Sequence, residues 1–266
     1  MARAHRLCAL ALLLAFGLGL GVACDRGRSP EPEAVPPSSP APAPAPAASL
    51  SPRLRRPAAD RVVAIGDVHG DLDHFERALR LAGAVDDRGR WIGGSLVVVQ
   101  TGDEIDRGND DRAVLDSVEE LKKQAAAAGG EVIALLGNHE IMNASADFRY
   151  VTPRGFAAFS PAAMSSLPAA DTAAPTRGRM LAFAPGGQYG TMLAGRPLVA
   201  EVGDTVFVHG GVLPKHVAYG LDRMNDELDA WLAGKRSTPP AIVVADDGPV
   251  WTRAYSDEGT APDCAA

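Results

Sequence analysis

Short runs of β-branched and other apolar residues recur beyond residue 60, and each ends at a glycine beside polar residues. The runs are 62–65, 96–99, 132–136 and 206–208. Runs of this length bounded by glycine are typical of buried strands. Between the first three runs, apolar residues recur at helical spacing over 72–81 and 113–128. This strand–helix–strand alternation predicts an α/β protein with a sheet flanked by helices.

Asp, Asn and His residues follow the four predicted strands directly. The blocks are Gly66-Asp67-Val68-His69-Gly70, Gly102-Asp103-Glu104-Ile105-Asp106-Arg107-Gly108, Gly137-Asn138-His139-Glu140 and His209-Gly210-Gly211. Ligands of open α/β sheets bind beyond the carboxyl ends of the strands, and glycine allows a close approach of the backbone. Carboxylate, amide and imidazole donors without sulfur suit Mn²⁺, Fe or Zn²⁺. We therefore predict a divalent-metal site where these strand ends converge on one edge of the sheet.

Taken in order, the four blocks resemble the motifs of the calcineurin-like metallophosphoesterases, in the phosphoprotein phosphatase branch. Other segments are similar to the bacterial Shewanella-like phosphatases. They are Asn138-His139-Glu140-Ile141-Met142-Asn143, Arg149-Tyr150-Val151, Pro185-Gly186-Gly187 and the block at His209. The resemblance runs from about Arg61 to the C-terminus. It implies an αββα sandwich, in which two mixed sheets are flanked by helices, and phosphomonoesterase activity.

The same resemblance implies a pair of divalent ions, Mn, Fe or Zn, and assigns their ligands. Asp67 and His69 would hold the first ion, Asp103 would bridge, and Asn138 and His209 would hold the second. Two cations about 3.5–4 Å apart neutralise a phosphate ester, polarise a water to hydroxide and orient an in-line attack.

The resemblance also implies catalytic and phosphate-binding roles. His139 would be the general acid and Asp106 the partner that orients it. Arg107 would bind phosphate through its planar fork of donors. For the Asp106–Arg107 pair the alternative is a surface ion pair in a turn. Arg253 resembles a second phosphate-binding arginine or is an ordinary exposed one, and Glu140 either supports the site or is a charge at a strand exit.

One family ligand has no counterpart. The family uses a further histidine, in a Gly-His-Thr type motif on a later strand, but the histidines here stand at 5, 69, 74, 139, 209 and 216. We expect the domain to be truncated at the C-terminus and to lack closing strands. Three alternatives stay open: a fragment or frameshifted reading, a full product that binds metal weakly and is slow or inactive, and substitution by His216.

The first 59 residues predict an export signal followed by a linker. Residues 1–24 combine a short basic stretch with an apolar stretch, which is typical of a bacterial export signal, and Cys24 resembles a lipidation site. A soluble secreted protein and an uncleaved membrane anchor are the alternatives. Residues 25–59, rich in Pro, Ala and Ser, predict an extended linker to a domain at 60–266. We expect an exported protein, tethered to a membrane in the periplasm or at the cell surface.

Composition narrows the classes of function. Of 266 residues, 46% are hydrophobic, which is enough for a core, and three cysteines cannot form a disulfide scaffold. The net charge is −7, and residues 60–266 carry −11 because residues 1–59 hold seven arginines against three acidic residues. An acidic domain is a poor partner for nucleic acid. The predicted function is a metal-dependent phosphomonoesterase acting on a phosphorylated protein or small phosphoester. The alternatives are a nucleotide or dinucleoside polyphosphate hydrolase and a catalytically weak or inactive membrane-tethered module that binds phosphorylated partners.

Overall fold

The structure is a computed structural model that describes residues 53–160 and 175–256. The predicted export signal, the lipidation site Cys24 and most of the linker lie outside these residues. Within the described ranges, no helix combines the length and the apolar character needed to cross a bilayer. Export and lipid attachment therefore stay predictions.

The first sheet consists of three parallel strands in the order β2 (Val62–Ile65), β3 (Val97–Gln100) and β4 (Glu131–Ala134). Helix α1 (Leu72–Leu81) connects the first pair of strands and α2 (Asp111–Ala127) connects the second pair. The strands and helices predicted from the apolar pattern are present with shifts of at most two residues at their ends. Strand–helix–strand alternation thus produces the helix-flanked sheet that was predicted, and the structure shows that its three strands are parallel.

The second sheet has the order β1 (Arg55–Arg56), β5 (Val199–Val202) and β6 (Thr205–Val208). Strand β1 is parallel to β5, whereas β5 and β6 form an antiparallel hairpin that turns at Gly203, where φ is 63°. The prediction that all four motif strands end at one sheet edge is therefore wrong for the fourth. Strand β6 pairs with its neighbour in sequence, because the short turn closes a hairpin at little entropic cost.

The last residues of the predicted linker take part in the described fold. Leu54 is buried in the apolar core, and Arg56 places its Nε 2.6 Å from Glu131 Oε1. Strand β1 follows Leu54 directly and hydrogen-bonds to β5. Backbone pairing, rather than side-chain periodicity, thus joins this short segment to the second sheet.

The apolar pattern predicted none of the other described helices, and most of them are short. They are α3 (Asn138–Ala144), α4 (Pro153–Ala157), α5 (Pro175–Phe183), α6 (Gln188–Ala194), α7 (Pro214–Tyr219), α8 (Leu221–Leu232) and α9 (Ala241–Val244). Helix α3 begins within the third motif block, so Asn138 and His139 lie in its first turn.

Three apolar clusters define the layers. Val98 of β3 belongs to a cluster with buried residues of α1 and α2. Val99, which points the opposite way, belongs to a cluster with Ala200 of β5, so the two sheets face each other. Val199 belongs to a third cluster with residues of α6 and α8. This helix–sheet–sheet–helix order confirms the αββα sandwich.

Candidate metal and phosphoester site

The motif residues converge where strands of both sheets end. Asp67 follows β2, Asp103 follows β3, and Asn138 opens α3 just after β4. His209 follows β6 of the second sheet and reaches the same place, with its Nε2 2.9 Å from Asn138 Oδ1. The face-to-face packing of the two sheets therefore brings together ligands from four segments.

Asp103 stands at the centre of three imidazoles. Its Oδ2 lies 3.9 Å from His69 Nε2, 3.8 Å from His139 Nε2 and 3.4 Å from His209 Nε2. Its Oδ1 accepts a hydrogen bond of 2.9 Å from the backbone N–H of His139. One oxygen thus fixes the carboxylate, and the other faces the cluster.

Backbone carbonyls orient two of the imidazoles. His69 Nδ1 lies 3.2 Å from Ile105 O, and His209 Nδ1 lies 3.1 Å from Thr101 O. A carbonyl only accepts, so each Nδ1 carries the proton and each Nε2 keeps its lone pair for a metal ion. This is the usual support for a metal-binding histidine.

The donor set fits divalent cations. His209 Nε2 and Asn138 Oδ1 both present lone pairs at 2.9 Å, a contact that is favourable only with a proton or a metal ion between or beside them. Two groups of possible ligand atoms each lie within 4.8 Å of one another: His69, Asp103 and His139, and Asp67, Asp103 and His209. Asp103 belongs to both groups. The half-exposed Asp67 leaves the cluster open to solvent.

His139 differs from the other two imidazoles. Its Nδ1 lies 2.8 Å from Asp106 Oδ2, and its Nε2 lies 3.4 Å from Arg107 Nη2. A guanidinium beside Nε2 opposes the binding of a second cation there. Although His139 is near enough to be a ligand, its surroundings suit proton transfer better.

Asp106 and Arg107 do not form the surface ion pair considered as an alternative. Asp106 is fully buried and bonds to His139. The backbone N–H of Arg107 donates to Tyr150 O at 2.8 Å, and its guanidinium lies 5.2 Å from the centre of the Tyr150 ring. Tyr150 thus holds Arg107 at the edge of the cluster.

Several of these residues have a left-handed backbone. The φ angles are 51° at His69, 56° at Asp103, 71° at Asp106 and 64° at Arg107. Such a conformation costs a non-glycine residue about 1–3 kcal/mol and is concentrated at functional sites. The Asp103 carbonyl offsets part of this cost, because it accepts the N–H groups of Val68 and His69.

Glu140 supports the site, which settles the alternative left open by the sequence. It is fully buried, and its carboxylate accepts the backbone N–H groups of Gly137 (2.8 Å), Asp103 (2.9 Å) and Glu104 (2.9 Å). Burial, together with the charges of Asp103 and Glu104, raises the pKa of Glu140 to about 8 despite these donors. Glu140 thereby ties the loop after β3 to the start of α3.

Sequence reasoning missed three buried polar residues around the site. Arg196 pairs with Glu104 at 2.8 Å, and Arg179 and Asn143 both bond to Asp106. Asn143 carries a weak signal, because it stands four residues after His139 on α3 and therefore on the same helix face. No sequence pattern marks either arginine.

Arg253 is exposed and stands on a segment packed against the loop after β6. The N–H groups of Gly210 and Gly211 both donate to Pro249 O, at 2.9 and 3.0 Å. This places Arg253 near the block that contains His209. Its phosphate-binding role stays a prediction.

His216 is not placed to act as the further metal-binding histidine that the family resemblance implies. It is fully buried in α7, its Nδ1 accepts the Leu213 N–H at 3.0 Å, and its Nε2 lies 3.1 Å from Asp247 O. Both ring nitrogens are thus used by the backbone. Burial lowers the pKa of this imidazole below its ordinary value, and the neighbouring Lys215 acts in the same direction.

The chain resembles proteins of one family. The family model described as calcineurin-like phosphoesterase matches residues 60–265. Shewanella-like protein phosphatase 2 of Arabidopsis thaliana is 39% identical over an alignment of 249 positions, which covers 82% of this chain and 63% of that protein. Shewanella-like protein phosphatase 1 of Plasmodium berghei is 30% identical over 153 residues, which are 57% of this chain and 39% of that protein.

A solved structure shows the same fold. The cold-active protein tyrosine phosphatase of a psychrophilic Shewanella species is 27% identical, with a TM-score of 0.62, over 80% of this chain and 62% of that chain. This chain therefore spans less than two thirds of the length of these relatives. With the four blocks joined into one site on an αββα sandwich, the chain belongs to the calcineurin-like phosphoesterase family.

Proposed function

We propose that the protein is a metal-dependent phosphomonoesterase of the protein phosphatase type. The observation that carries the proposal is Asp103, whose Oδ2 lies 3.9 Å from His69 Nε2 and 3.4 Å from His209 Nε2, while Asp67 lies beside the first imidazole and Asn138 beside the second. A shared carboxylate between two groups is what a pair of cations requires. The residues that would hold them are Asp67, His69, Asp103, Asn138 and His209.

The chain's own residues supply the other parts of a phosphoryl-transfer site. Two divalent ions, when bound, neutralise the phosphate and activate water for in-line attack. Arg107 presents a planar guanidinium that matches two phosphate oxygens. Asp106 accepts from Nδ1 of His139, which directs Nε2 into the site to donate a proton to the leaving oxygen.

Phosphorylated proteins are the substrate class that we propose. The relatives described above are named protein phosphatases, and the Shewanella enzyme is named a protein tyrosine phosphatase. The Tyr150 ring, 43% exposed and 5.1 Å from the His139 ring, offers an aromatic face beside the reacting group. An open, partly exposed site accepts a phosphorylated side chain on a large partner.

Turnover by the full chain with Mn²⁺ tests the proposal. The substrates are phosphotyrosine and phosphoserine peptides, an aryl phosphate, mononucleotides and a dinucleoside polyphosphate. We expect hydrolysis of the peptides and the aryl phosphate. Preference for the nucleotides would support the nucleotide hydrolase instead, and absence of turnover with tight phosphopeptide binding would support the binding module.

The variant Asp103→Asn tests whether the rate of hydrolysis depends on bound metal. Because Asp103 serves both ligand groups, the variant should lose bound Mn²⁺ and activity together, as measured by elemental analysis and turnover. Asp116→Asn, the same change on the exposed face of α2, is the matched control and should alter neither. Full activity of Asp103→Asn would refute the proposed site.

We also propose that the protein is exported and carries lipid at Cys24. The proposal rests on the basic and apolar stretches of residues 1–24 alone. Cell fractionation of the full chain and of Cys24→Ser tests it. The wild type should be found with membranes and the variant should not, whereas equal membrane association would favour an uncleaved anchor.

A further inference from the structure

Arg179 is buried beneath the candidate catalytic pair, although it belongs to none of the four motif blocks. It stands on α5, and its side chain is fully buried. Its guanidinium lies 5.0 Å from the centre of the Phe159 ring and 4.9 Å from that of Phe183. Two aromatic rings thus hold the charged plane in one orientation.

The guanidinium donates to three side chains at once. Nη2 donates to Asp106 Oδ1 at 2.8 Å, Nη1 to Asp111 Oδ2 at 2.7 Å, and Nε to Asn143 Oδ1 at 2.7 Å. Nη1 also donates to Gly155 O at 3.0 Å. A buried charge with this many partners is stable where it lies, and its geometry is fixed.

The Asp106 carboxylate is fixed from two sides. Asn143 Nδ2 lies 3.0 Å from Oδ1 and 2.9 Å from Oδ2, and Arg179 takes the remaining side of Oδ1. His139 Nδ1 reaches Oδ2 at 2.8 Å. Asp111 completes the frame, because it also accepts the backbone N–H of Asp106 at 3.1 Å. The angle at which Asp106 meets the imidazole therefore depends on Arg179.

We propose that Arg179 is a positioning residue, which acts through Asp106 to hold the His139 imidazole in its proton-donating orientation. The inference rests on the proposed phosphomonoesterase function for its kinetic test. Arg179 is fully buried, and among the described residues its guanidinium reaches the site through Asp106, Asp111 and Asn143. Its loss should therefore weaken proton donation and leave metal binding unchanged.

The kinetic test uses phosphate monoesters whose leaving groups range from acidic nitrophenols to alkyl alcohols. A poor leaving group needs the proton and a good one does not. In Arg179→Met we expect kcat for alkyl esters to fall roughly tenfold or more, kcat for nitrophenyl esters to change little, and KM to be unchanged. Arg179→Lys, which keeps one cationic donor, should recover part of the loss. If the methionine variant does not fold, the same measurements are made on Arg179→Lys.

Two comparisons separate positioning from general damage. In a His139→Asn background, Arg179→Met should cause no further loss, because the group through which it acts is already absent. Arg177→Met, the same change at an exposed position of α5, is the matched control and should leave the leaving-group dependence unchanged. Equal loss for all esters, or losses that multiply in the double variant, would overturn the inference.

A second readout does not depend on turnover. The Nδ1 proton of His139, assigned by its loss in His139→Asn, should give a slowly exchanging NMR signal in the metal-free wild type. Its exchange with water should be at least about tenfold faster in Arg179→Met and unchanged in Arg177→Met. Unaltered exchange in Arg179→Met would refute the positioning role. If the wild type showed no turnover but the exchange rates differed as expected, only the proposed enzymatic function would be refuted.

Discussion

Arg196 and Glu104 form an ion pair in which both side chains are fully buried. Nη1 and Oε2 are 2.8 Å apart but poorly aligned, and neither oxygen of Glu104 accepts a hydrogen bond from the described residues. Removing one partner of such a pair leaves an uncompensated buried charge and costs about 3–5 kcal/mol. We expect Arg196→Met to lower the free energy of unfolding by that amount, a large share of the roughly 5–15 kcal/mol typical of a domain.

Replacing both partners should be far less costly. A poorly aligned buried pair recovers little of its desolvation energy, so apolar residues of similar volume are about neutral or stabilising. Glu104→Leu combined with Arg196→Met should therefore unfold within about 1 kcal/mol of the wild type. Glu119, which also contacts Arg196 at 3.0 Å, is partly exposed and stays hydrated in the double variant.

Urea denaturation of the single and double variants measures these differences, provided that the denaturant slope is unchanged. Burial raises the pKa of Glu104, and the charge of Arg196 opposes the rise. The Glu104 carboxyl keeps its proton to a higher pH in the folded protein than in the unfolded chain. Protonation of Glu104 therefore favours the folded state at low pH, and this contribution to the free energy of unfolding is lost as the pH rises through the raised pKa. Without Arg196 the rise is greater, and Arg196→Met should be more damaging at about pH 8 than at about pH 5.

Arg223→Met is the matched control for this experiment. Arg223 pairs with Glu227 at 2.7 Å on the exposed face of α8. Its loss should cost far less stability than the loss of Arg196, because solvent screens exposed pairs. If the Glu104 and Arg196 substitutions proved additive, and independent of pH, the buried pair would not be coupled as described.

Three further predictions concern the site and its surroundings. His139→Asn should keep bound Mn²⁺ but slow alkyl esters far more than aryl esters; equal slowing would refute the general-acid role. In Gly137→Ala the new Cβ would lie 2.2 Å from Asp103 Oδ1, so Mn²⁺ affinity should fall at least about tenfold, whereas Gly66→Ala meets nothing within 4 Å and should bind normally. His216 must stay neutral to accept its backbone N–H, and burial lowers its pKa. The unfolded state therefore takes up the proton first, and stability is lost as the pH falls from about 6.5, the ordinary histidine pKa, through the lower pKa of the folded protein. The urea midpoint should fall less between pH 7.5 and pH 5.5 in His216→Gln than in the wild type. An equal fall in both proteins would contradict the neutral state assigned to His216.

The first sheet and the candidate ligands could be predicted because both are encoded locally. Strands β2, β3 and β4 are short β-branched runs, and α1 and α2 carry apolar residues at helical spacing. The residues that follow the strands, such as Asp67 and Asp103, lie at strand ends for the same local reason. Burial of one face requires this periodicity, so the sequence shows it directly.

The second sheet was harder to predict. Strand β1 has two residues and pairs with β5, 146 positions later in the chain. Strand β6 was predicted, but its partner was not, because an apolar run does not show which edge it will join. The expectation of a single sheet edge was wrong for this reason.

The sequence by itself determined which residue types stand at the strand ends, and hence the family and the chemistry available to the site. Only the tertiary structure decided that His209 arrives from the second sheet and that His216 is occupied by backbone groups. It also decided that Arg179 and Arg196 lie beneath the site, opposite carboxylates 73 and 92 positions earlier in the chain. The physical reason is that strands and helices arise from neighbouring residues, whereas the partner of a buried charge is chosen by the packing of whole layers.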